Sequence, residues 1–475
     1  MTAAATPSRF RENIAAALGD ERLRGLSPHV QSLIAARAEA AARLPEFEAL
    51  RDSARAIKDH ALAHLDLYLE AFERKATEAG GQVHYARDAA EATATIVDLC
   101  KAHGAKTVVK GKSMVSEEIG LNAALDRAGI AAVETDLGEY VVQLREERPS
   151  HIIAPAIHLT RKDYEAAFRR AHRDLPADRD LSQPERLLAE ARAILRAKFL
   201  AADVGITGAN FLVAETGAAI VVTNEGNGDL CQVLPKVHIV VASIEKVVPT
   251  LNDVAQILRV LARSATGQGM AVYTTAAVGP RRPGDPDGPE EWHVVLVDNG
   301  RSAMLGGPFR DMLRCIRCGA CMNHCPVYET IGGLAYGWIY AGPMGAVLTP
   351  SLIGVAEGGA LATASTLCGR CEAACPMRIP LPALLRQWRE RAFARALTPA
   401  GERFALGLWA FFAKRPALYR LTTGLATRAL ALVGRARGRF SWLPFASGWT
   451  RSRDLAAPQG ATFQSRWRAK SGRVK

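Results

Sequence analysis

Seven of the nine cysteines in this 475-residue chain lie between positions 315 and 375, in two blocks that each end in Cys-Pro. The first block is Cys315-Ile-Arg-Cys318-Gly-Ala-Cys321-Met-Asn-His-Cys325-Pro326, and the second is Cys368-Gly-Arg-Cys371-Glu-Ala-Ala-Cys375-Pro376. Three thiols at n, n+3 and n+6 can wrap a short turn around one face of an inorganic cube. A fourth, four residues further on, is free to reach a neighbouring cube. This is the C-x2-C-x2-C-x3-C-P run of two-cluster iron–sulfur proteins, in which the fourth cysteine of a block ligates the other block's cluster. Exchanging the fourth ligands gives one [4Fe–4S] site on Cys315, Cys318, Cys321 and Cys375, and a second on Cys325, Cys368 and Cys371.

The second set is one thiolate short, because Ser365 stands where a further cysteine would fall. Three completions are open: a serine alkoxide, a ligand from water or a partner protein, or a three-iron cluster. A cubane with a non-cysteine or missing fourth ligand is the favoured form. Zinc bound by paired CxxC motifs accounts poorly for seven thiols, and disulfides are rare in reducing compartments. Gly319 and Gly369 each follow a cysteine and suit close backbone approach, with amide N–H groups aimed at sulfur. Such a module handles electrons singly. Potentials across the class run from about −700 to +450 mV, so the motif leaves the value open.

Length predicts two or three domains, and an apolar content of 49% allows each to bury a core. Residues 1–80 read as helical, with Leu44, Phe47 and Leu50 at helical spacing. From 81 to 300, short apolar runs alternate with helices: Val83–Ala86, Lys106–Val109, Ala131–Val133, Val237–Ala242, Met270–Thr274 and Trp292–Val297 read as strands, and 88–104 and 117–128 as helices. Two β-rich runs around Glu215-Thr216-Gly217 suggest a hairpin. Alternation of this kind argues for an α/β domain with a mostly parallel sheet. The expected architecture is thus an α/β domain with an appended α-helical two-cluster ferredoxin-like module at 301–385, and helical N- and C-terminal regions at 1–80 and 386–475. The Gly-rich insertion from Tyr336 to Gly345 between the cysteine blocks reads equally as a cluster cover or partner contact and as a packed connector.

Outside the cysteines, Lys110-Gly111-Lys112-Ser113 closes one expected strand and opens a helix, where α/β folds place ligand loops. A P-loop would need glycine five residues before Gly111, and that position is Lys106. A carboxylate or phosphate site on Lys110, Lys112 and Ser113 survives as a reading, with Glu215 a further ligand-binding candidate. His238, inside a strand, reads as core. Cys100 reads as buried packing and Cys231 as a weak candidate for the missing ligand. No catalytic residue is assigned, and no flavin or nicotinamide fingerprint is present.

The net charge of +12 is concentrated at the carboxyl end, where residues 386–475 hold 19 Lys and Arg against 3 Asp and Glu. Phe404–Ala413 is a ten-residue apolar run, too short to span a bilayer. With basic flanks it resembles a membrane-surface helix or one that packs on an acidic partner, so residues 400–475 are expected to dock. Basic residues interleaved with tryptophan also suit nucleic acid, the least favoured reading. The amino terminus lacks an export signal, so the expected location is the cytoplasm or the inner face of its membrane.

The order of Lys110-Gly-Lys-Ser-Met114, Gly205-Ile-Thr-Gly208, Glu215-Thr-Gly217, the cysteine blocks and the linker Ala335-Tyr-Gly-Trp-Ile-Tyr-Ala-Gly-Pro-Met-Gly-Ala-Val-Leu-Thr-Pro350 resembles the lactate utilization protein B family. The match runs from near residue 60 to the tail. The resemblance implies an α/β part similar to the sugar-phosphate isomerase and CoA-transferase type of fold, and cluster ligands at the seven cysteines named above. It also implies a role in electron transfer within a multi-component system that oxidises L-lactate to pyruvate, beside a cysteine-rich subunit and a smaller α/β subunit. Whether this chain is itself an enzyme stays open, with catalysis by the α/β domain the alternative.

Overall fold

The computed structural model describes residues 5–444, 446–450 and 453–471. Residues 1–4, part of the stretch read for an export signal, and 472–475, which carry two basic residues of the tail, lie outside the described residues. Two compact units divide the chain, Met1–Ala392 and Phe393–Lys475.

The first unit is built on a six-stranded sheet. Its strands are β1 (Gln82–Ala86), β2 (Thr107–Lys110), β3 (Ala131–Glu134), β4 (Val204–Gly208), β7 (Val237–Ser243) and β10 (Glu291–Val297). They run in the order β1-β10-β7-β4-β2-β3, every pair parallel. Burial on both faces explains why β7 and β10 read as near-continuous apolar runs. One face packs under the helices Ala89–Ala102 and Leu121–Arg127, and the other under Leu65–Glu78, where Phe72 and Trp292 share one buried cluster. Asp88 caps Ala89–Ala102 by accepting the Glu91 N–H. The single helix expected over 117–128 is two, Met114–Glu118 and Leu121–Arg127, because Gly120 takes a left-handed conformation between them.

A second, four-stranded sheet holds β5 (Phe211–Val213), β6 (Ala218–Thr223), β8 (Val247–Val248) and β9 (Tyr273–Ala277), in the order β8-β5-β6-β9. The expected hairpin is its β5–β6 pair, which is antiparallel. The turn needs Gly217 because a Cβ there would meet the backbone N of Ala76 at 2.4 Å. The expected strand Met270–Thr274 lies a few residues later, as β9, paired with β6.

The helices Leu26–Ala42 and Phe47–Ala63, the second sheet, Leu251–Thr266 and the cysteine module share one hydrophobic core. Module and α/β domain therefore pack through a continuous apolar interior.

The second unit contains the helices Ala400–Ala413 and Pro416–Gly434, a short antiparallel pair Arg439–Phe440 with Leu455–Ala456, and the helix Phe463–Ser471. Ala400–Ala413 buries none of its residues, and Phe404 and Trp409 are exposed. No helix among the described residues is long and apolar enough to cross a membrane.

Candidate metal centre and the cavity beside it

The seven thiols fall into two groups that cross the blocks. A small apolar cavity is walled by Cys315, Cys318, Cys321 and Cys375 together with Ile152, Met344 and Met377. After burial, the largest effect on Cys318 is the charge of Cys375, and Cys321 responds to Cys315, Cys318 and Cys375 in turn, with Cys371 of the other group last. Cys371 instead responds, after burial, to Cys325 and Cys368. Burial pushes the Cys318 and Cys371 thiols up to about 12 and Cys375 to about 11. Cys368 is exposed and lowered, first by a hydrogen bond from Thr366.

Backbone amides serve these sulfurs with the same offset in both blocks. Ala320 N–H donates to Cys318 and Arg370 N–H to Cys368; Val327 N–H donates to Cys325 and Met377 N–H to Cys375. The loops achieve this with left-handed residues on both sides of the middle cysteine: Arg317 at φ 57° and Gly319 at 74°, Leu367 at 56° and Gly369 at 82°. The repeat extends to Ser365. Arg317 N–H donates to Cys315 Sγ at 3.4 Å, and Leu367 N–H donates to Ser365 Oγ at 3.0 Å. Ser365 thus occupies in the second loop the place that Cys315 holds in the first.

The arrangement fits iron–sulfur clusters better than single ions. A zinc tetrahedron with bonds of about 2.3 Å sets its sulfurs roughly 3.8 Å apart. Among the described residues, the His/Cys/Asp/Glu trio whose ligand atoms all approach within 4.8 Å contains no cysteine, so the thiols stand wider than a mononuclear site requires. Tyr336 supplies a second test. Its ring is fully buried beside Cys325, Cys321 and Cys371, and its hydroxyl has no hydrogen-bond partner within the protein. A sulfide-rich core between the thiol groups offers an acceptor.

Around the first group lies a buried ionic frame. Arg317, between Cys315 and Cys318, reaches Glu245 Oε1 at 3.1 Å and stands over the Tyr340 ring at 5.0 Å. Arg301 Nε meets Glu245 Oε2 at 2.9 Å, and Tyr340 Oη donates to Glu118 Oε2 at 2.6 Å. Although burial opposes its charge, Arg301 and Arg317 hold Glu245 at about 2. Further round, Arg51 of Phe47–Ala63 donates to the carbonyls of Cys375 at 2.7 Å and Ala373 at 2.8 Å. The insertion is therefore part of the wall: Met344 lines the cavity and Tyr340 joins the frame.

A larger cavity, about 210 Å³, opens at the carboxyl ends of the parallel strands. Gly111 follows β2, Asp136 follows β3, Thr207 and Gly208 end β4, and the far wall is Ile316, Arg317 and Cys318. The crevice beyond strand ends is where such sheets bind ligands. Of the sequence candidates, Lys112 and Ser113 line it. Lys112 Nζ donates to Ile153 O at 2.9 Å and lies 3.4 Å from Asp136 Oδ2. Ser113 caps Met114–Glu118 by accepting the Ser116 N–H. Lys110 points elsewhere, buried between Glu117 at 3.0 Å and Glu134 at 2.8 Å. Glu215 is also apart, accepting the Leu251 N–H at 3.0 Å. A cation that sequence reasoning missed, Lys246, is buried on the cavity wall, and burial with Arg317 beside it lowers its pKa to about 7.

The sequence profile of the LUD domain matches residues 69–297, that of a 4Fe-4S dicluster domain 311–379, and that of the lactate utilisation protein B C-terminal region 391–471. Lactate utilization protein B of Bacillus licheniformis is 43% identical over 460 residues, covering 96% of this chain and 95% of that one. The chain belongs to the lactate utilization protein B family. The Bacillus subtilis lactate utilization protein B is 41% identical over 458 residues, covering 96% and 95%. An Escherichia coli relative described as the uncharacterized electron transport protein YkgF is 42% identical over 459 residues, with the same coverage. A solved DUF162-family structure from Deinococcus radiodurans aligns with 49% of this chain and 98% of that chain, at 15% identity and a TM-score of 0.27.

Other partners of the module in this family member gave no motif. His151 packs on the first cysteine loop, where a Cβ at Gly319 would meet its Cε1 at 3.2 Å. Its Nε2 lies 3.0 Å from Asn323 Oδ1, and its Nδ1 accepts the Ile153 and Ala154 amides. Cys231 lies beside Thr135, away from both thiol groups, and His238 is core, with Nε2 2.8 Å from Thr207 Oγ1.

Proposed function

We propose that this chain relays electrons within a multi-component system that oxidises L-lactate to pyruvate. It would hold one [4Fe–4S] cluster on Cys315, Cys318, Cys321 and Cys375 and a second on Cys325, Cys368 and Cys371, with Ser365 at the fourth corner. The observation that carries this reading is the division of the thiols into two adjacent groups, each drawing on both blocks. The printed names of the relatives, lactate utilization protein B and electron transport protein, point the same way.

Lactate oxidation releases two electrons and two protons, and two bound clusters supply two one-electron stations. The protein's own part is positional and electrostatic. Cys315 to Cys375 and the amides between them fix the ligand geometry, while Arg317 and Lys246 place positive charge against the first thiol group. Ile152, Met344 and Met377 keep water from it. A cysteine-rich subunit and a smaller α/β subunit are the partners this reading requires, with the exposed apolar residues of Ala400–Ala413 as a docking face. The test is anaerobic reduction by L-lactate in the presence of those partners, followed by electron paramagnetic resonance. Two electrons per chain are expected; a chain that dithionite reduces but lactate plus partners does not would reject the reading.

A second reading is favoured by the 210 Å³ cavity, which falls below the range of about 300–1,000 Å³ typical of drug-sized ligands and so suits a small carboxylate. Lys112, Lys246 and Arg317 would hold the carboxylate at the wall shared with Cys318. Calorimetry with L-lactate or pyruvate on the full chain alone should show binding that Lys246→Met abolishes. Absence of heat in the wild type removes this reading and leaves the first intact.

A further inference from the structure

At the opposite end of the sheet from the cavity, three side chains converge on one point. Glu291 and His293 sit at the start of β10, and His103 follows the helix Ala89–Ala102. Their ligand atoms all lie within 4.8 Å of one another. Glu291 Oε2 is 3.3 Å from His103 Nε2 and 3.4 Å from His293 Nε2.

Those separations carry the argument. A tetrahedral zinc ion with ligand bonds of about 2.0–2.1 Å holds its ligand atoms roughly 3.3–3.4 Å apart. A direct hydrogen bond would be shorter and in line. The Nε2 of His293 makes none: the residue is 1% exposed, and this nitrogen has no hydrogen-bond partner despite the carboxylate beside it. A buried ring nitrogen left without a partner keeps the cost of its lost hydration, which a cation between it and the carboxylate removes.

The other nitrogen of His293 is already held. Its Nδ1 lies 3.2 Å from His84 Nε2 on the adjacent strand β1. With Nδ1–H donating to His84, the Nε2 lone pair points at Glu291, the orientation found in ligating histidines.

We propose that His103, Glu291 and His293 form a site for one divalent transition metal of the zinc class, with water in the fourth position and His84 as the positioning residue. Bound there, the ion ties the end of Ala89–Ala102 to the start of β10. The role is that of a clip, independent of the cysteine module.

The test uses the full chain with its iron assembled anaerobically, dialysed against micromolar zinc chloride and analysed for both metals. The wild type should retain one zinc per chain, which His103→Ala and Glu291→Gln lose while keeping their iron. Both substituted positions are solvent-accessible, and equal melting temperatures without zinc will show that the variants fold. His84→Phe should weaken zinc binding about 10–100-fold. Zinc X-ray absorption should show nitrogen and oxygen ligands only. Equal zinc in wild type and variants, no retained zinc in the wild type, or sulfur scatterers at about 2.3 Å would each overturn the proposal.

Discussion

Glu118 and Arg301 meet side-on through two hydrogen bonds of 2.8 and 2.6 Å, with both side chains fully buried. One residue belongs to the α/β domain and the other leads into the cysteine module, so the pair bolts the two together. Breaking a buried pair by removing one partner costs about 3–5 kcal/mol, because the survivor keeps its charge in the interior. Arg301→Ala should therefore lower the melting temperature sharply and reduce iron retention, since Glu118 is left with the neutral Tyr340 and Asn299 and Glu245 with Arg317 alone among the arginines of the frame. Glu118→Leu combined with Arg301→Met should recover at least half of the loss. A single variant that melts like the wild type would contradict the account.

Ser365 sets the second thiol group apart. Ser365→Cys completes a four-thiolate set and should slow iron loss in air, whereas Ser365→Ala should hasten it. Iron content against time of exposure checks both, and three indistinguishable curves would mean that the hydroxyl does not face the metal.

Tyr336 should tune the potential. Hydrogen bonds to cluster sulfur favour the reduced, more negative state. Tyr336→Phe removes the donor and should shift one midpoint potential downward in a redox titration, with iron content unchanged. An unshifted pair of midpoints would show that the hydroxyl does not reach the core.

The acid sensitivity of the fold should trace partly to His238. Burial, with His293 nearby, brings its pKa to about 3, against about 6.5 in an unfolded chain. Below the unfolded value, the unfolded chain takes up a proton that the folded chain refuses. Stability therefore falls as pH drops from about 6.5 toward the folded value, by about 1.4 kcal/mol per unit. Between pH 7 and pH 5 the melting temperature of His238→Gln should decline less than that of the wild type. Equal declines would assign the effect elsewhere.

Residues 393–475 form their own compact unit. Deleting 400–475 should leave the iron content intact and abolish association with partner subunits or with anionic liposomes, read by co-sedimentation. Association that survives the deletion would remove the docking role.

What the sequence disclosed follows the range of the interactions involved. Cysteine spacing is local, so both blocks and the anomaly at Ser365 are readable from the chain alone. Strands such as β7 and β10 are apolar throughout and announce themselves. The frame of Glu118, Glu245, Arg301 and Tyr340 does not, because its members lie far apart in the chain and each looks like an ordinary charged or aromatic residue. Lys110 and Lys112 look equivalent in sequence, yet Lys110 ends β2 among buried carboxylates, whereas Lys112 lies beyond the strand in the loop that lines the cavity. The second sheet was only half legible: its hairpin carries a turn motif, but β8 is two residues long and takes its place through β5 alone.

The cavity wall of Cys315, Cys318, Cys321 and Cys375 has a consequence for biosynthesis. A ribosome that has just released residue 325 has made three of those sulfurs, and the last emerges fifty residues later. Until then Arg51, long since translated, has no Cys375 carbonyl to grip. A cluster held by those four thiols would accordingly be loaded late, and a truncated product ending between the blocks would have no complete place to put it.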